Sequence, residues 1–279
     1  MVKRNPLLEG LKLTLLILAS VLVIYPFIWM VLNSFKPSLE VFVNSWWLPQ
    51  NVEWKNYIDA WTKNAISTGL LNTLIIAVIS LPTVLLLSAM ATFALSRIKF
   101  KGGEIIFYLF VAGNMLPQAL ILIPLFVHLN NLYLLEIPYA GLVIVYIAFG
   151  FPFHIMVQMP FFNAIPRELE DASYIDGASF SVVFWRIDLP LAKSGVVIGG
   201  IFQFFYTWNE YVFAHTTIQS TKLRTLPLTI ADLMLRQQQL AQWGSIFSGL
   251  VIAIIPCIVI YMLSLKQITR QAFLGALKG

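Results

Sequence analysis

Charge is what this sequence has least of. Asp, Glu, Lys and Arg make up 11% of its 279 residues, against roughly 25% in a soluble domain, so the chain cannot clothe a water-facing surface. A disordered chain needs low hydrophobicity and high charge, whereas 59% of these residues are hydrophobic and the mean hydropathy is +0.81. Cysteine occurs once, at Cys257, which excludes a disulfide scaffold and a cysteine-based metal site. His128, His154 and His215 are scattered, without the spacing of metal ligands. No G-x-x-x-x-G-K-[ST] run occurs, so nothing marks a nucleotide site. What remains is a polytopic membrane protein.

Crossing about 30 Å of hydrocarbon takes about 20 apolar residues at a rise of about 1.5 Å each. Six stretches meet that test: 13–32, 70–95, 105–127, 137–162, 196–214 and 246–265. All are expected to be helices, because lipid obliges each segment to satisfy its own backbone, and they are too long and too uniformly apolar for barrel strands. Lys3, Arg4 and Lys12 ahead of the first stretch suit the basic start of a signal peptide. Its apolar run, however, exceeds the roughly 7–15 residues of such a leader and no A-x-A site follows, so it reads as a retained span.

The net charge of +5 resolves by position. One set of loops holds twelve basic residues: Lys3, Arg4, Lys12, Arg97, Lys99, Lys101, Arg167, Arg186, Lys193, Lys266, Arg270 and Lys278. The other holds six: Lys36, Lys55, Lys63, Lys222, Arg224 and Arg236. The positive-inside rule then puts both termini in the cytoplasm, and the basic charge needs no nucleic-acid partner. The expected fold is all-α, a polytopic membrane protein with six transmembrane helices. Residues 1–68 form an N-terminal segment, first span and external loop; 69–266 carry the other five spans; 267–279 form a cytoplasmic tail.

Two external segments stand out. In residues 33–68, beside Trp46 and Trp47, the residues Trp54, Tyr57, Ile58 and Trp61 recur on one helical face. That face suits an aromatic belt at headgroup level, and equally a docking surface for an extracytoplasmic partner. In residues 215–243, Thr225-Leu226-Pro227 and Gln237, Gln238 and Gln239 read as a polar, turning loop.

The longest internal loop, 165–195, is too long for a simple connector. Pro166 opens a helix, Leu169, Ala172 and Ile175 recur on one face, and Glu168, Glu170 and Asp171 crowd its N-terminal end, where the dipole favours acids. Asp176-Gly177 breaks the run, and Ser179 caps a second short helix. Phe180, Val183, Phe184 and Ile187 form its apolar face, and Pro190 is expected to end it. Neither face has an evident core on this chain. The pair either lies flat on the membrane or inserts in a groove of a cytoplasmic partner.

The same loop resembles the EAA signature of permease subunits of ATP-binding-cassette importers: E-A-A, three residues, G, nine residues, I-x-L-P. Asp171-Ala172-Ser173 stand at E-A-A, Gly177 is the glycine, and Ile187-Asp188-Leu189-Pro190 complete the pattern, with Asp for Glu and Ser for Ala as conservative departures. Ile175-Asp176-Gly177-Ala178-Ser179, Pro117, Ile123-Pro124-Leu125, Trp208-Asn209-Glu210 and the ending Gly275-Ala276-Leu277-Lys278-Gly279 are similar to the carbohydrate group, of the maltose-permease type. The resemblance implies that loop 165–192 is a coupling element. Glu170, Asp171, Ala172, Ser173, Asp176, Gly177, Ile187, Leu189 and Pro190 would meet an ATPase, with the acids orienting basic residues of that partner. It implies no cofactor on this chain, ATP and Mg on the ATPase, and as partners two ATP-binding-cassette subunits, a second permease, an extracytoplasmic solute-binding protein and the lipid bilayer of the cell (inner) membrane.

The candidate substrate path is the polar residues inside spans: Asn114 and Gln118 around Pro117, and Gln203, Tyr206, Thr207, Asn209 and Glu210 in span five. Gln203, Thr207 and Glu210 share one face. Polar groups facing lipid are costly, so these residues either line a path for a polyhydroxyl solute, with Phe202, Phe205 and Trp208 as stacking faces, or bond helices together, as do His154 and Gln158 on the same reasoning. Competing classes are a permease for a non-sugar solute, an ion-coupled carrier, which would need deep ionisable pairs and broken helices, and an intramembrane enzyme, for which Ser80, Ser88 and His154 make no recognisable set.

Overall fold

The computed structural model describes residues 6–98, 100–239 and 242–276; these are almost entirely helical and include no strand. Lys3, Arg4, Lys99, Lys278 and the last three residues of the terminal motif lie outside the described residues. The elements are α1 (Pro6–Ser34), α2 (Ser38–Val43), α3 (Lys55–Thr62), α4 (Ile66–Arg97), α5 (Gly103–Asn114), α6 (Gln118–Asn131) and α7 (Ala140–Asn163). Then come α8 (Arg167–Ile175), α9 (Phe180–Val183), a π-helical turn (Phe184–Asp188), α10 (Leu189–Leu191) and α11 (Lys193–Asn209). A short α12 (Val212–Thr217), α13 (Leu226–Gln239) and α14 (Trp243–Ala276) complete the chain. Among the described residues, four helices are long and apolar enough to cross a membrane, α1, α4, α7 and the Trp243–Leu265 part of α14; the pairs α5 with α6, and Phe180–Leu191 with α11, meet the same test only when taken together across a bend. Prolines inside α4, α7 and α14 do not end them, as is usual for helices in lipid.

The chain divides into two compact units, Met1–Ser67 with Thr229–Ile255, and Thr68–Leu228 with Pro256–Gly279. In the first, the segment after α1 is tied down by a buried polar knot. Lys36 is fully buried and its Nζ donates to the carbonyl of Asn44 at 2.7 Å and to Asn33 Oδ1 at 3.2 Å. Burial lowers the Lys36 pKa and Glu40 pulls it back up in part. Asn56 Nδ2 donates to the carbonyls of Ser34 and Lys36. Tyr57, expected on the outward stripe of α3, instead bonds Ser34 Oγ at 2.7 Å and packs on Phe35. Trp46, Trp47, Trp54, Ile58 and Trp61 remain exposed.

In the second unit one core joins Ile76, Leu129, Leu142, Val145, Tyr146, Phe213 and Leu228, and another joins Ala89, Phe93, Phe162, Ile165, Val183, Phe184 and Ala192. Here α7 and α11 approach closely because Gly150 faces Gln203. A Cβ at Gly150 would stand 2.8 Å from Gln203 Oε1, the close small-residue packing familiar in membranes.

Four expectations change. The 105–127 stretch is not one helix: α5 and α6 meet at 99° across Met115–Pro117. Pro117 lacks an N–H and forces extended backbone on its predecessor, and Gly113 and Asn114 just before it are weak helix formers. The 196–214 stretch ends at Asn209, where Glu210 turns extended at φ −72, ψ 122. The 215–243 segment carries a 14-residue helix, α13, because Pro227 fits a first helical turn and Leu226 and Leu228 are buried. The side chains of Gln237, Gln238 and Gln239 lie outside the described ones. Finally, Pro190 does not end its helix. The ladder widens to a π turn just before it, Leu189 N–H bonding the carbonyl of Phe184, which moves the carbonyls that the proline ring would strike.

Candidate functional site

Two places in the second unit gather the candidate residues. The first is a cavity of about 540 Å³ at the break between α5 and α6. Asn114 ends α5 and Gln118 begins α6, so the irregular backbone that would be intolerable against lipid lines a cavity instead. Gln118, Asn114, Gln203 and Tyr206 supply its polar groups, and Phe149, Phe153 and Phe202 its aromatic faces. Gln118 Nε2 donates to the Tyr206 hydroxyl at 3.3 Å. Asn114 is exposed, with only a long contact to Met156 sulfur at 4.0 Å. No acid or base is among the described lining residues. The broken helix, otherwise a mark of ion-coupled carriers, therefore comes without the deep charged pair that such carriers use. Amides, a phenol and flat apolar rings suit a neutral solute rich in hydroxyls.

The rest of the span-five stripe does not reach this cavity. Gln203 Oε1 meets His154 Nε2 at 2.8 Å, and Gln203 Nε2 donates to Thr207 Oγ1 at 3.4 Å. Gln158 Nε2 donates to Ser88 Oγ at 3.1 Å. The bonds of His154 to Gln203 and of Gln158 to Ser88 are the interhelical ones expected of His154 and Gln158, whereas Thr207 is held within α11 by Gln203. Asn209 Nδ2 turns back to the carbonyl of Phe205 at 2.8 Å. Glu210 is buried and fully engaged. It accepts from Tyr146 Oη at 2.7 Å and from the N–H groups of Phe213 and Ala214 at 2.6 and 3.1 Å, opening α12. Phe149, Phe153 and the break itself were not among the expected path residues. Pro117 between two amides was the available signal.

The second place is the 165–192 loop. Ala178 N–H bonds the carbonyl of Ser173 and Gly177 N–H that of Tyr174, with Gly177 at φ +83. This is a Schellman end, which wants glycine at that position. A Cβ on Gly177 would meet nothing within 4 Å, so conformation and not crowding selects the residue. Ser179 caps α9 by accepting from Val182 N–H at 3.4 Å. Leu169, Ala172 and Ile175 are all exposed, Ile175 at 86%, and so are Phe180 and Trp185 farther along the loop. Asp171, Asp176 and Pro190 are exposed, Ser173, Ile187 and Leu189 half-buried. Ser173 Oγ donates to the carbonyl of Leu169.

Two features depart from expectation. The second helix does have a core on this chain: Val183 and Phe184 are buried against Phe93, Phe162 and Ile165. And Glu170 does not point outward with the other acids. It is buried and paired with Arg97, Oε1 to Nε at 2.8 Å. Asp188, in the π turn, is fully buried. Burial and the Glu170 charge raise its pKa to about 6, while Arg97 pulls it down in part. Burial likewise raises the Tyr174 pKa, with Glu170 and Asp188 adding to the effect.

Residues 85–272 match the model of the family described as binding-protein-dependent transport system inner membrane component. Over 264 residues the chain is 34% identical to the probable ABC transporter permease protein YurM of Bacillus subtilis, covering 95% of this chain and 87% of that one. It is 32% identical to the diacetylchitobiose uptake system permease protein NgcG of Streptomyces coelicolor, with the same coverage. It is 31% identical to the trehalose/maltose transport system permease protein MalG of Thermococcus litoralis, covering 97% of this chain and 99% of that one. The structure superposes with a TM-score of 0.81 on a chain of a bacterial ABC transporter involved in the import of the acidic polysaccharide alginate, at 20% identity over 95% of this chain and 98% of that one. That likeness concerns the fold.

Proposed function

The chain belongs to the family of binding-protein-dependent transport system inner membrane components, and on that premise we propose that it forms half of the path by which an uncharged saccharide or related polyol is imported. The spans are α1, α4, the broken α5–α6, α7, α11 and α14, with both termini and the 165–192 loop in the cytoplasm. That orientation rests on the split of basic residues, twelve against six. α11, at 17 residues, lies at the short end of what spans a bilayer. A second permease completes the path, a solute-binding protein delivers the cargo from outside, and two ATPase subunits hold ATP and Mg on the cytoplasmic side.

The observation that carries this reading is the uncovered face of Leu169, Ala172 and Ile175 on a helix whose other side is locked into the spans. An exposed apolar helix face fits a partner's groove. The saccharide class rests on the cavity, whose amides, phenol and rings carry no charge, and on relatives named for chitobiose and maltose uptake.

The test is to purify the chain with what co-elutes and assay ATP-driven uptake in proteoliposomes. An ATPase and a second permease should co-purify, neutral oligosaccharides should be imported and uronic acid oligomers refused. Ala172→Arg should strip the ATPase away while the permeases stay folded. Uptake driven by an ion gradient, with no ATPase bound, would overturn the reading.

A further inference from the structure

Arg97 ends α4 and is almost wholly buried, its side chain 4% exposed. A buried arginine must spend its donors on acceptors within reach, and this one spends them on two other elements. Nη2 donates to the carbonyl of Phe162 at 2.6 Å and to that of Ile165 at 3.1 Å. Phe162 lies in the last turn of α7 and Ile165 two residues past its end, where the helix dipole favours a cation. Nε faces Glu170 Oε1 at 2.8 Å. Glu170 lies on α8, one residue before the Asp171-Ala172-Ser173 motif. A single guanidinium thus ties the end of α4, the end of α7 and the coupling helix α8. Arg167 Nη2, at the start of α8, adds a second strap to the carbonyl of Ser96 at 3.3 Å. Both side chains of the pair are buried, 4% and 7% exposed, which strengthens the ion pair and makes it costly to separate.

We infer that Arg97 is the joint through which displacement of α8 reaches the spans, a positioning residue for coupling and not a contact with the ATPase. This rests on the reading of 165–192 as the docking loop. Hinged at Gly177 and free on its outer face, α8 can move as a body, but only if it carries the ends of α4 and α7 with it. Without the guanidinium the ATPase would still dock on Leu169, Ala172 and Ile175, and would still hydrolyse ATP, while the spans lagged behind. The fork geometry matters: lysine offers one point charge where arginine bonds two carbonyls and pairs with a carboxylate at once.

The test uses the full assembly in proteoliposomes and reads ATP hydrolysed per solute imported, with co-purification of the ATPase as the control for docking. Arg97→Gln and Glu170→Gln should both keep the ATPase bound and raise that ratio at least fivefold. Arg97→Lys should fall between them and the native protein. If both glutamine variants assemble and keep the native ratio, the inference is wrong. If both fail to assemble, Arg97 is a folding element only and the inference is equally overturned. If the native protein itself binds no ATPase, the underlying reading of the loop fails instead.

Discussion

Tyr146 donates its hydroxyl to Glu210 at 2.7 Å, and the same carboxylate takes the N–H groups of Phe213 and Ala214. Glu210 therefore begins α12 and fastens it to α7. All three of these bonds are to this chain, and Glu210 is not among the described residues that line the cavity.

Glu210→Ala should leave three buried donors unpaired. Each such group costs about 1–3 kcal/mol, so the melting temperature in detergent should fall sharply, and Tyr146→Phe should lower it by a smaller amount. Uptake per folded molecule should be unchanged in Tyr146→Phe. An unaltered melting temperature for Glu210→Ala would show that the capping has been misread.

Variants of the cavity should behave in the opposite way. Tyr206→Phe deletes the hydroxyl that accepts from Gln118, and Gln118→Ala deletes the donor. Each removes one hydrogen bond worth about 1 kcal/mol from the cavity wall. The expected result is a maximal uptake rate reduced about fivefold, with ATPase docking intact. If a binding protein sets half-saturation, as proposed, that value should hold steady. A native rate in the double variant would place the path elsewhere.

The contrast between these residues explains what a sequence can disclose. Glu210, Thr207 and Gln203 share a helical face, and that much was legible. Whether the face meets a cavity or another helix depends on Tyr146 and His154, far away in the chain. Within 168–171 nothing local separates Glu170 from Asp171, yet adjacent residues of a helix point about 100° apart, and Arg97 stands opposite only one of them. Gly177 and Ser179 were legible because a helix end and a helix cap are local events. The π turn was not: it depends on Val183 and Phe184 being held in a core so that the helix runs on through Pro190.

At Gly177 the backbone itself is the requirement. With φ at +83, Gly177→Ala should cost roughly 1–2 kcal/mol, and Gly177→Asn less, since asparagine tolerates that region. Gly177→Val should be worst and should weaken ATPase co-purification by reorienting α9 against α8. Equal retention of the ATPase in Val and Asn variants would contradict this.

Asp188 supplies a pH signature. Its pKa in the folded protein is about 6, above the ordinary 3.8. Between those values the folded state keeps a proton that the unfolded chain has released, so stability falls as pH rises through the window. Above about pH 6 the whole penalty is present. Asp188→Asn should therefore raise the melting temperature near pH 8, and the gain should shrink as the pH is lowered past about 6. A gain that grows on acidification would reverse the assignment.

The central claim is that the 165–192 loop meets an ATPase. Cys257 is the only cysteine in the chain, so Cys257→Ser gives a clean background in which Ile175→Cys places one thiol on the exposed tip of α8. A short thiol-to-amine cross-linker applied to the purified assembly should join this chain to the ATPase subunit. Ile58→Cys, on α3, should give no such adduct. Cross-linking from Ile58→Cys with none from Ile175→Cys would contradict both the docking face and the orientation of the chain.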